Sequence, residues 1–108
     1  MWRKQHFVNV YHETHQIIKA QAALNNKSMK DTFKEILDET GIIQYEPYKY
    51  TLNKPTMRKN ILIQTSKEDR IRLKEAANKA GTSMLIYTWY LVEYWVSNHK
   101  RLETTEHN

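Results

Sequence analysis

The chain has 108 residues, with 17 Lys and Arg against 12 Asp and Glu, a net charge of +5, five His and no Cys. This length suits one small domain or two very small modules sharing a core, and the lack of Cys excludes a disulfide framework and a thiolate metal site. No apolar run reaches transmembrane length and no apolar stretch follows the basic Met1–Lys4, so a cytoplasmic protein without membrane attachment is expected.

In chain order, Gln5–Val10 reads as a short strand, followed by a helix from about Glu13 to Asn25. Tyr11 stands where a cap would, so this helix must start without the usual side-chain cap. Ser28 opens a second helix, with Asp31 at the capping-box position, and Gly41 ends it. Residues 42–57, IIQYEPYKYTLNKPTM, hold both prolines of the chain, which argues against a long helix. Their three Tyr, two Ile and a Leu are too apolar for a solvated tether, so an ordered connector is expected. Extended, it would reach about 50 Å. Ile61 and Ile63 then alternate with Asn60, Leu62 and Gln64 in a second strand. Ser66 begins a third helix, with Asp69 as capping-box partner and Ile71, Leu73, Ala76, Ala77 and Ala80 as its apolar stripe. Gly81 ends it. Ser83 caps the last helix, whose apolar positions include Leu85, Ile86, Tyr87, Leu91, Val92 and Trp95. Residues 101–108 form a polar tail expected to fray.

The two halves repeat. Shifted by 55 positions, residues 3–41 lie over 58–96 without a gap, with 7 of 39 positions identical: Arg3-Lys4 on Arg58-Lys59, Glu13 on Glu68, Lys19 on Lys74, Ala22 on Ala77, and Ser28-Met29 on Ser83-Met84. Conservative matches extend the pattern, among them Val8 on Ile63, Ile18 on Leu73 and Ile36 on Leu91. Asn26 falls on Gly81, so a residue tolerant of left-handed backbone precedes Ser-Met in both copies, as a helix C-cap requires. The organisation expected is a first copy at 1–41, a connector at 42–57, a second copy at 58–100 and the tail. One strand and two short helices cannot bury a core alone. Two copies can, if the strands pair antiparallel and four helices pack behind them. The fold class expected is therefore mainly α, with a short two-stranded antiparallel ribbon formed within one chain.

Residues 58–96, through ILIQTS, LKEAANKAG and TSM, resemble the ribbon-helix-helix DNA-binding proteins, the Arc/MetJ-like repressors; residues 3–41 resemble them less closely. Members of that family usually build the ribbon by homodimerising, so the resemblance implies a fused pseudo-dimer here. It implies double-stranded DNA as partner, with the outward strand residues reading bases: Gln5, Phe7 and Asn9 from one strand, Asn60, Leu62 and Gln64 from the other. Amides suit adenine N6/N7, and an apolar side chain covers a thymine methyl. Run antiparallel, Phe7 and Leu62 are expected to form the central outward pair. The resemblance also implies phosphate binding where the second helix of each copy starts, at Lys27, Ser28 and Met29 and at Thr82, Ser83 and Met84. Arg3, Lys4, Arg58 and Lys59 flank the strands as further phosphate candidates. Residues 58–100 carry 8 Lys and Arg against 4 Asp and Glu, whereas residues 1–41 carry 6 against 5.

Catalysis finds no foothold: there is no Gly-rich phosphate loop, no nucleophile motif and no paired carboxylates, and no cofactor is expected. His12 and His15 in HETH are spaced to share a metal on a helix, yet a third ligand is not evident, and their equivalents Lys67 and Arg70 are basic surface positions. The last helix, residues 83–98, is apolar almost all round over 85–95. Trp89, Tyr90 and Tyr94 either pack against the Tyr-rich connector or form a self-association surface. The function expected is a sequence-specific repressor. The same ribbon would also serve a plasmid accessory factor, in a relaxosome or in partition, or an antitoxin, although the short tail disfavours the last.

Overall fold

The structure, a computed structural model, describes residues 5–41, 45, 46, 49 and 59–106, with 99–106 described as backbone. Strand β1 (His6–Tyr11) runs directly into helix α1 (His12–Leu24), and α2 (Met29–Thr40) follows. Strand β2 (Asn60–Thr65) leads into α3 (Lys67–Ala80) and then α4 (Met84–Glu106). The molecule is thus mainly helical around one two-stranded antiparallel sheet.

Local chemistry accounts for these boundaries. Ser28, Ser66 and Ser83 each stand before a helix, and their hydroxyls accept hydrogen bonds from the N–H groups of Asp31, Asp69 and Ile86 at 3.0, 3.1 and 3.2 Å. These occupy donors that the first turn otherwise leaves without partners. Helix α1 lacks such a cap, and there the His12 N–H donates to the Lys59 carbonyl at 3.1 Å. The backbone beside the partner strand replaces the missing side chain. The turns after α1 and α3 are closed alike. Asn26 and Gly81 take positive φ, 53° and 74°. The N–H of Lys27 donates to the Ala22 carbonyl at 2.9 Å, and that of Thr82 to the Ala77 carbonyl at 3.1 Å.

In the ribbon, Val8 pairs with Ile63, Phe7 with Gln64, Asn9 with Leu62, and Tyr11 with Asn60. One face is buried: Val8, Val10, Ile63 and Thr65 are covered. Behind it lie Ile18 of α1, Phe33, Ile36 and Leu37 of α2, Leu73 and Ala77 of α3, and Tyr87, Leu91, Val92 and Trp95 of α4. Helix α4 packs on β1, α2 packs on β2, and α2 and α4 pack on each other. Each half of the chain therefore covers the strand of the other. Arg72 adds a polar tie outside this core, donating to Asp38 of α2 at 3.0 Å and to Asp69 of its own helix at 3.2 Å. The bond from Arg72, helped by Lys34, holds the Asp38 carboxyl below its ordinary range.

Three expectations need correction. Ile71 is 44% exposed rather than part of the buried stripe. Two residues apart on a helix is over half a turn, so burying Leu73 and Ala77 turns Ile71 outward. Phe7 and Leu62 do not face one another, because the centre of the pairing falls on the inward pair Val8–Ile63 and sets the outward residues diagonally. The segment expected to fray continues as helix to Glu106, since neither Gly nor Pro interrupts it and its Arg, Leu and Glu are good helix formers. Among the described residues, no helix is long and apolar enough to cross a membrane.

Candidate nucleic-acid interface

Period-2 alternation decides what the ribbon shows to solvent. With Val8 and Ile63 drawn into the core, Phe7 and Asn9 on β1 and Asn60, Leu62 and Gln64 on β2 are exposed, and Gln5, just before β1, is exposed as well. Phe7 and Leu62 keep 37% and 57% of their surface accessible. Each stands directly opposite an amide, Phe7 across from Gln64 and Leu62 across from Asn9. The five expected base readers that lie in the strands thus share one face, and Gln5 stands exposed just before it. The result is a narrow strip of amides with two apolar side chains and no acidic group among the six.

The residues expected to hold phosphate stand at the starts of α2 and α4. Ser28 and Ser83 are exposed, and Met29 and Met84 half-buried. Each Ser hydroxyl satisfies the third N–H of its helix, so the N–H groups of Met29 and Lys30, and of Met84 and Leu85, have no intrahelical partner. Thr82 is half-buried and accounted for by its backbone bond to Ala77. Lys27 is exposed but tied to Glu35 at 2.5 Å, which raises its pKa; a phosphate would compete with that carboxylate. Lys59 is exposed beside β2. Arg3, Lys4 and Arg58 lie outside the described residues.

Between the ribbon and the start of α2 lies a concavity of about 350 Å³, bounded by Phe7, Leu62 and Gln64, by Ser28 and Lys30, and by His15 of α1. His15 and Lys30 were not among the expected readers. The signal for His15 is in the repeat, which sets it at the place of Arg70. The imidazole is held below its ordinary pKa by burial, and then by Lys19 and His12. In the other half, the Arg70 Nε donates to the Phe7 carbonyl at 3.2 Å, at the edge of the ribbon. Among the described residues, no three His, Cys, Asp or Glu side chains are grouped as a metal site needs.

The aromatic helix packs in part against the connector. Trp89 and Tyr90 are buried, at 6% and 1% exposure, and so are not a free surface for self-association. Tyr45 of the connector meets the Tyr90 ring edge-on at 5.0 Å, and the Glu46 N–H donates to the Tyr90 hydroxyl at 3.2 Å. Tyr94 is half-buried, with the Lys49 ammonium 5.6 Å from its ring centre.

Comparison of the chain with protein-family models, with curated proteins and with solved structures finds no match in any of the three.

Proposed function

We propose that this chain binds double-stranded DNA sequence-specifically, laying the outer face of its ribbon in the major groove, and that it acts as a transcriptional repressor by occupying its site. The observation that carries the reading is the solvent face of the ribbon. Four amides and two apolar side chains stand out on it, with Val8 and Ile63 drawn away beneath. Phe7 and Leu62 stand among these amides on one face, and the major groove admits a two-stranded ribbon and offers thymine methyls for them to cover. The exposed helix starts at Ser28 and Ser83 are suited to phosphates on the strands flanking that groove.

We propose further that the two halves form a fused pseudo-dimer. In support, Val8 and Ile63, which match under the 55-residue shift, are direct partners, and the flanking pairs Phe7–Gln64 and Asn9–Leu62 exchange under that shift. The identical closures after α1 and α3 agree with it.

Titration of a labelled duplex at increasing salt tests the function. With roughly 4–8 phosphates neutralised, log affinity falls against log salt with a slope of about −4 to −7. An affinity that stays flat with salt contradicts the proposal.

A further inference from the structure

The two ends of the ribbon differ chemically at one matched position. The second copy carries Arg70, whose charge is permanent. The first copy carries His15, whose charge depends on pH. His15 borders the concavity between the outer ribbon face and the start of α2, together with Lys30, Ser28 and Gln64. Resting on the DNA reading above, we infer that His15 contacts the DNA backbone at this end of the ribbon as an imidazolium, so that binding there takes up a proton.

The surroundings argue for a ligand of negative charge. Partial burial, and after it Lys19 and His12 on its own helix, hold the His15 imidazole below its ordinary pKa in the free protein and so favour its neutral form. From α2 the charged side chain in the concavity is Lys30, and from the ribbon Phe7, Leu62 and Gln64 bring none. The lining thus combines the Lys30 cation, a titratable imidazole and the first residues of α2, with no carboxylate among its residues. A backbone phosphate seated there favours the protonated imidazole and raises its pKa. The sign follows: the bound pKa exceeds the free one, so affinity rises as pH falls through the interval between them. Above the bound pKa and below the free pKa it is level. Arg70, at the matched position of the other half, offers no such step.

The experiment measures anisotropy of a labelled duplex with the full chain at constant low salt, from pH 7.5 to 5.5. Wild type tightens by about 3–10-fold, since one proton contributes at most tenfold per pH unit. His15→Arg, which restores the residue found in the other copy, holds the low-pH affinity throughout. His15→Gln is weak and level. Circular dichroism on each variant checks that it is folded. A pH profile in His15→Gln as steep as that of wild type overturns the role of His15 and leaves the DNA reading standing. Duplex binding absent at every pH overturns the DNA reading and this inference with it.

Discussion

At the scale of residues, positive φ at two positions decides how each half turns from its first helix to its second. Gly81 takes φ +74° with open space where a Cβ would stand. Gly81→Ala therefore meets no clash, and its cost is the left-handed backbone alone, about 1 kcal/mol. Chemical denaturation checks this: the midpoint falls while the slope with denaturant is unchanged. Asn26 holds the same conformation in the first half, φ 53°, as one of the few non-Gly residues that tolerate it. That pairing was legible from the sequence, because the backbone requirement selects the residue type directly. Ile71 was not legible in the same way. Its apolar chemistry matched the stripe, but which side of α3 is buried is set by the packing of Leu73 and Ala77.

At the scale of elements, the ribbon and the connector contrast. The faces of β1 and β2 could be read from alternation, since burying one side of a strand enforces a period of two. The pairing could not, because it depends on which residues meet at the centre, and Val8–Ile63 rather than Phe7–Leu62 do. The helix side of the connector's attachment was legible, in Trp89, Tyr90 and Tyr94 set against its Tyr residues, but which connector residue meets them was not. Its anchor is particular: Tyr45 on the Tyr90 ring, with the Glu46 N–H donating to the Tyr90 hydroxyl. Tyr90→Phe keeps the ring contact and leaves that N–H without its acceptor, costing about 1 kcal/mol. Thermal unfolding of the variant beside wild type measures it. The start of α1 also rests on tertiary structure, since its first N–H is satisfied by Lys59 across the ribbon.

At the scale of the whole molecule, α2 covers the strand of the second half and α4 that of the first, so the halves depend on one another for a core. A ribbon closed within one chain makes stability independent of protein concentration, and the melting temperature should stay constant over a roughly hundredfold range. A melting temperature that climbs with concentration would indicate strands shared between chains. The central claim is that the outer ribbon face reads base pairs, and binding-site selection on wild type and Gln64→Ala tests it most directly. Each bidentate amide contact supplies about 1–3 kcal/mol of discrimination. Wild type should select two similar but unequal half-sites, because Phe7 and Leu62 differ in bulk. Gln64→Ala should lose preference at one base step while its affinity for unrelated duplex is nearly unchanged. The same consensus from both proteins, equally sharp at every position, would contradict the account.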